Sequence, residues 1–175
     1  RSLAGVHLYH FGTSNCSQRV RLALQEKGVS WISHPINLLK NEHTTKEFQA
    51  LNPNGVVPVL VHDGSTIIES NDIISYIDDV FDGPRLMPVD RAHNAYVRQA
   101  IDNASNIQTA LKLVSHEFLF KPKRRMNPRQ LAEYEASCTN PALVSFIREF
   151  STGKGFSEGK IRNSVAELTS AFTQL

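Results

Sequence analysis

Only two cysteines occur among the 175 residues, Cys16 and Cys138, far apart in the chain. A disulfide framework is therefore not expected, and a reducing compartment suits this usage better. No apolar run reaches the ~18 residues of a membrane span. The N-terminus shows no charged-then-apolar leader pattern, so a soluble cytosolic protein is the expected setting. Charge of one sign is also missing. The formal net charge is +2, too mild to point to nucleic acid. Metal-ligand spacings are absent as well: no two histidines stand four apart, and His7 and His10 would face opposite sides of a strand. No metal site is expected.

What is present is a globular composition, 41% hydrophobic and 21% charged, with length for one large domain or two small ones. Val6–His10 alternates as a short strand, and Gly12 ends it. A helical stripe follows at Val20, Ala23 and Leu24, starting from Ser17 as its cap and stopped by Gly28. Trp31–Ile36 reads as a strand, placed at an edge by Pro35. A short helix is predicted over Thr44–Leu51, then a strand over Gly55–Val61 that carries Pro58. Asp63-Gly64 turns this run into a partner strand at Thr66–Ile68. Ser70-Asn-Asp72 then caps a helix with Ile73, Ile77 and Val80 on one face.

The composition changes after residue 81. Residues 82–90 form a linker rich in Pro and Gly, and everything beyond reads as helical. Val97, Ile101, Ala104, Leu111, Val114 and Phe118 predict one long amphipathic helix. Asn127-Pro128 and Asn140-Pro141 each start another. Ser157 caps a last one, with Ile161, Val165, Leu168 and Phe172 inward. That pattern reaches Leu175 without a stop signal, which reads as a chain cut short of its natural end. The expected organisation is an α/β domain over 1–81, a linker over 82–90 and an all-α domain over 91–175.

The segment Thr13-Ser-Asn-Cys-Ser17 crowds hydroxyls, an amide and a thiol at a helix start. Free N–H groups and the helix dipole favour an anion there, so a thiol placed against them ionises more easily. A proline between Val57 and Val59 is tolerated if its peptide bond is cis and a strand begins at that point. The bend would leave the backbone of Val57 to pair with an extended ligand. Glu69-Ser70, at the next helix start, offers a carboxylate for a ligand amine, and a hydroxyl with backbone donors for a ligand carboxylate. A short, extended, charged peptide carrying a thiol suits all three elements, and glutathione is such a peptide.

The order of the stretches SNCSQRVRLALQEKG, FQALNPNGVVPVL and ESNDIISYID resembles the glutathione transferase superfamily. The resemblance covers essentially the whole chain and is most specific in NPNGVVPVL with the following ES. It implies a thioredoxin-like N-terminal domain, an all-helical C-terminal domain, glutathione as co-substrate and a homodimer. SNCSQRVRLAL looks like the zeta class, which includes maleylacetoacetate isomerases with a Ser-Ser-Cys start. Asn15 replaces the middle serine and counts against that activity. The stretch EHTTKEFQALNPNGVVPVLVHDGSTIIESNDIISYIDDVF and the C-terminal third look like the bacterial lignin β-etherase branch.

The resemblance implies that Ser14 donates a hydrogen bond to the glutathione thiolate, against the plainer role of a capping serine. Asn15 would share that task or serve only the turn, and Cys16 would be a second reactive group or a small buried residue. Val57 and Pro58 would hold the cysteinyl unit by backbone, Glu69 and Ser70 the γ-glutamyl end, and Lys40 and His43 the glycyl carboxylate, unless these two are surface residues. Tyr96, Asn103, Ile107 and His116 are candidates for lining a hydrophobic electrophile site, although inward positions on such a helix are commonly core. The basic run Lys121-Pro-Lys-Arg-Arg125 reads as a solvated loop. The expected activity is thiolate attack on a hydrophobic aromatic electrophile, with aryl ether cleavage as the reaction of the β-etherase branch. Cis–trans isomerisation and non-catalytic glutathione binding are the rivals.

Overall fold

The computed structural model describes residues 3–173, and the chain divides into two compact units, Arg1–Asn94 and Ala95–Leu175. In the first unit β1 (Val6–His10) leads into α1 (Asn15–Glu26), followed by β2 (Ile32–Pro35), α2 (Lys46–Leu51), β3 (Val59–His62), β4 (Ser65–Ile67) and α3 (Ser70–Val80). The sheet order is β2-β1-β3-β4. β1 and β2 are parallel with Tyr9 opposite His34, whereas β3 runs antiparallel to both β1 and β4. β2 lies at the edge, where Pro35 has no ladder bond to lose. Asp63 and Gly64 both take positive φ, 48° and 84°, the backbone that a tight two-residue hairpin requires.

Alternation along the central strands sends side chains to both faces. Val6, Leu8 and Leu60 meet Val20, Ala23 and Leu24 of α1 and Ile73 and Ile77 of α3 in one core. Val57, Val59 and Val61 pack with Phe48 of α2 in the other. α1 closes with a Schellman motif, in which the Val29 N–H donates to Leu24 O and the Gly28 N–H to Gln25 O, each at 2.9 Å, with Gly28 at φ 68°.

Two helix starts differ from the sequence-based expectation. α1 begins at Asn15, and its cap is Ser14, whose oxygen accepts the Ser17 N–H at 3.3 Å. Ser17 is fully buried inside the helix, where its oxygen accepts the Phe11 N–H. At α3, Ser70 is the first helical residue rather than the cap; Glu69 holds the cap position at φ 64° and makes no side-chain capping bond. The strand predicted over Gly55–Val61 begins only at Val59, directly after the cis Val57–Pro58 bond.

A buried ion pair ties α1, α3 and the segment that follows. Lys27 Nζ lies 3.2 Å from Asp78 Oδ1 and also donates to the Asp78 carbonyl at 3.1 Å, with side-chain exposures of 1% and 5%. The same carboxylate accepts the N–H groups of Leu86 and Met87 at 2.8 and 3.0 Å. Gly83 passes so close that a Cβ there would meet the Lys27 carbonyl oxygen at 2.8 Å, and its φ is +118°. Gly83→Ala is therefore expected to lower stability by about 1–3 kcal/mol, since both the contact and the backbone conformation oppose a side chain. Urea unfolding of the two proteins measures it.

In the second unit the long helix expected over 97–118 is interrupted. α4 (Arg91–Asn106) ends before Ile107, α5 (Gln108–Ser115) follows, then a wide π turn over His116–Phe120 and α6 (Lys121–Arg124). The run Asp102-Asn-Ala-Ser-Asn106 explains the break. Ser and Asn side chains compete for backbone groups, and Ser105 Oγ donates to the Ile101 carbonyl at 2.8 Å. α7 (Pro128–Ser137) starts with the capping box of Asn127 and Gln130, and α8 (Pro141–Ser151) starts with Asn140 as cap. α9 (Glu158–Thr173) buries Ser164 and Leu168, while Val165 and Phe172, expected inward, are 41% and 62% exposed. Ile161 and Leu168 face inward as expected, and Ser164 completes the buried stripe in place of Val165 and Phe172. Leu175, where the pattern shows no stop signal, lies outside the described residues.

Candidate functional site

Strand register gathers the candidate residues of the first unit. Tyr9 pairs with Val59, so the end of β1 and the start of β3 lie together. Leu60 pairs with Ile67, so β4 delivers Glu69 and Ser70 to that same end. His10 pairs with Pro35, and the loop bearing Lys40 and His43 leaves from there as well. The α1 start, the Val57-Pro58 bend, the α3 start and the loop after β2 therefore share one end of the sheet.

Ser14 is half-buried. Its oxygen accepts a capping bond from Ser17, which leaves its proton to be donated elsewhere. Asn15 is exposed, and its Oδ1 accepts the Cys16 N–H at 2.8 Å, so it acts at least as a turn residue. Cys16 is half-buried with Sγ 3.5 Å from Arg19 Nη2. The Val57 side chain is buried in the second core, and β3 starts two residues later, so the residue stands at the mouth of the ladder. Glu69 is exposed and Ser70 is 5% exposed. Lys40 is exposed on its 3₁₀ turn. His43 is only 1% exposed, packed beneath the loop instead of presented on it.

Sequence reasoning passed over Arg19 and Asn71. Arg19 Nη1 donates to Asn71 Oδ1 at 2.8 Å and Nη2 to Ser70 Oγ at 2.5 Å, so one guanidinium joins both helix starts. The available signal was spacing. Arg19 stands three residues after Cys16, on the same side of the helix.

The residues singled out in the second unit are placed variously. Tyr96 is 69% exposed, Asn103 accepts a bond from Gln99, and Ile107 sits at the break between α4 and α5. His116 is a core residue, ringed edge-on by Phe120, Phe146 and Phe150, with Nδ1 bonded to the Lys112 carbonyl at 2.8 Å. Burial, reinforced by Arg124, holds its pKa down to about 4. Unfolding would return it to the ordinary value near 6.5, so the unfolded chain binds the extra proton between about pH 6.5 and 4. Stability contributed by the neutral ring is expected to fall as pH drops through that window, and His116→Phe should flatten this part of a urea midpoint-against-pH curve. The basic run 121–125 is not the solvated loop expected of it. Lys121 pairs with Glu117, Arg124 is half-buried, and Arg125 donates to the carbonyls of Ser151, the last residue of α8, and of Thr152 and Gly153 just after it.

Among the described residues no cluster of His, Cys, Asp and Glu could hold a metal ion, and no helix is long and apolar enough to cross a membrane.

Residues 8–85 match the family model of the glutathione S-transferase N-terminal domain. Maleylacetoacetate isomerase of Mus musculus is 43% identical over 118 residues, which cover 63% of this chain and 55% of that protein. The matched stretch thus spans about half the length of that curated relative. The β-etherase LigF from Sphingobium sp. strain SYK-6 superposes with a TM-score of 0.86 at 24% identity, covering 97% of this chain and 71% of that one. A glutathione transferase homolog from sulfitobacter, solved with bound glutathione, superposes with a TM-score of 0.58 at 19% identity, covering 96% and 82%. At these identities the solved structures show a shared fold. The chain therefore has the glutathione transferase fold, a thioredoxin-like α/β unit followed by a helical one, and its first unit carries the match to that N-terminal domain.

Proposed function

We propose that this protein is a glutathione transferase that binds glutathione at the shared end of the first unit's sheet and uses its thiolate as a nucleophile. The observation that carries the proposal is the gathering of Ser14, Val57 and Ser70 at that end by strand register. Val57 would pair with the cysteinyl backbone, Glu69 and Ser70 would hold the γ-glutamyl end, and Lys40 would face the glycyl carboxylate. Ser14 would donate its hydroxyl proton to the sulfur, with the α1 dipole favouring the anion. Asn15 and Cys16 flank that sulfur position; His43, buried, would support the loop from beneath.

In the reaction proposed first, the thiolate attacks the carbon that bears an aryl ether oxygen. The C–S bond forms, the C–O bond breaks, and the phenolate leaves and takes a proton from water. Likeness in fold to a β-etherase over nearly the whole chain supports this choice. Isomerisation is the second reading, favoured by the 43% identity to a maleylacetoacetate isomerase. There the thiolate adds to a conjugated double bond, rotation follows, and the thiolate leaves unchanged.

Incubation with glutathione and a model β-aryl ether tests the first reading. Phenol and glutathione adduct are expected to appear in equal amounts. No phenol, together with turnover of a cis-dienoate at constant glutathione, would replace ether cleavage by isomerisation. Bound glutathione with neither turnover would leave a binding protein.

A further inference from the structure

We infer that Arg19 is a positioning residue of the glutathione site, fixing Ser70 as a hydrogen-bond donor toward the ligand's γ-glutamyl carboxylate. The inference rests on the glutathione reading above and assigns to that site a residue outside its expected set. Arg19 Nη2 donates to Ser70 Oγ at 2.5 Å and Nη1 to Asn71 Oδ1 at 2.8 Å. The fork spans two successive residues at the α3 start. A guanidinium can only donate, so Ser70 Oγ is held as acceptor on that side and its own proton must point to a third group. Ser70 is 5% exposed, so few directions remain for it.

Charge points the same way. Among the described residues no carboxylate pairs with Arg19, and its Nε is buried without a hydrogen-bond partner. A guanidinium donating to Ser70 Oγ draws electron density from it, so the Ser70 O–H becomes the stronger donor to an anion. The same guanidinium lies 3.5 Å from Cys16 Sγ, so one cation borders both helix starts on which the ligand would rest. The fork geometry is specific to arginine, because a lysine cannot reach two acceptors in one plane.

Calorimetric titration of glutathione into wild type, Arg19→Gln, Arg19→Lys, Ser70→Ala and the Arg19→Gln/Ser70→Ala double variant tests the inference. Arg19→Gln is expected to weaken binding about tenfold, as one charge-assisted hydrogen bond of that kind would. The double variant should be no weaker than Ser70→Ala by more than a factor of about two, since Arg19 acts through Ser70. Arg19→Lys should recover part of the loss. An analogue of glutathione lacking the γ-glutamyl α-carboxylate should bind wild type and Arg19→Gln alike. A purely structural arginine would move the melting temperature without this dependence on Ser70 or on the ligand carboxylate. Unchanged glutathione affinity in Arg19→Gln, or fully additive losses in the double variant, overturns the inference while leaving the glutathione site intact. If Arg19→Gln does not fold, unchanged affinity in Arg19→Lys for both ligands overturns it equally. Absence of binding by wild type overturns the glutathione reading itself, and the role of Arg19 with it.

Discussion

Replacing Ser14 by alanine is expected to lower kcat/KM with glutathione about a hundredfold at neutral pH, the scale on which a single donor to a developing or resident anion acts. The same change removes the cap of α1, because Ser14 oxygen accepts the Ser17 N–H. Loss of a cap costs about 1 kcal/mol of stability and is a separate effect. Two further variants divide them. Ser14→Thr keeps both hydroxyl and cap and should retain most activity. Ser14→Asp keeps the cap but sets a carboxylate beside the sulfur, so the protein should stay folded while the bound thiol becomes harder to ionise. Thiolate absorbance in the ultraviolet against pH provides the measurement. The wild-type midpoint should lie about two units below that of free glutathione, and both Ser14→Ala and Ser14→Asp should shift it upward. The activity gap to wild type should then narrow as pH rises. A Ser14→Ala midpoint equal to wild type would remove Ser14 from the chemistry and leave it as a cap.

The largest stability effect is expected at Asp78. Its alanine variant leaves Lys27, with 1% side-chain exposure, as a buried charge without its carboxylate, and strands the N–H groups of Leu86 and Met87. Breaking a buried pair in this manner costs about 3–5 kcal/mol. Lys27→Met/Asp78→Ala should be less destabilised than Asp78→Ala alone, because no orphaned charge remains; the test is a double-mutant cycle in guanidinium chloride. The pH dependence has a definite sign. Burial raises the Asp78 pKa, but the Leu86 and Met87 amides, Lys27 and Arg85 outweigh it and hold the carboxyl below its ordinary value. The unfolded chain then binds the proton first, so this stability is present above the ordinary carboxylate range and is lost as pH falls through it.

Much of the first unit was legible because its signals are local. Alternation marked β1, Asp63-Gly64 marked the hairpin, Pro35 marked an edge, and Gly28 stopped α1, each through a backbone requirement that few residues meet. Capping was read less well. Thr13, Ser14, Asn15 and Ser17 all have capping chemistry, and the choice among them depends on where β1 releases the chain. At Glu69-Ser70 the helix starts without any side-chain cap, a geometry that residue types do not announce. The ends of the candidate site were legible as motifs, whereas the Arg19 fork joins residues about fifty positions apart and exists only once α1 and α3 pack. In the second unit periodicity identified helices but not their breaks. A continuous apolar stripe ran across Ile107, and Ser105, one turn after Ile101 on the same side, bonds back to the Ile101 carbonyl where the period alone predicts an unbroken helix. Val165 and Phe172 fit the helical period as well as Ser164 does, and packing alone chose between the stripes.

The contrast between the two cysteines has a practical consequence. Cys138 is enclosed by Leu131, Tyr134, Leu143 and Ile147 in the helical unit, while Cys16 stands half-open at the α1 start of the other. A thiol-reactive dye would therefore label them on separate clocks. The fast phase would report occupancy beside Cys16 and should slow when a ligand shields it. The slow phase would wait for α7 and α8 to part. One native protein thus carries a built-in reporter for each unit, and a single labelling trace could follow both without engineered probes.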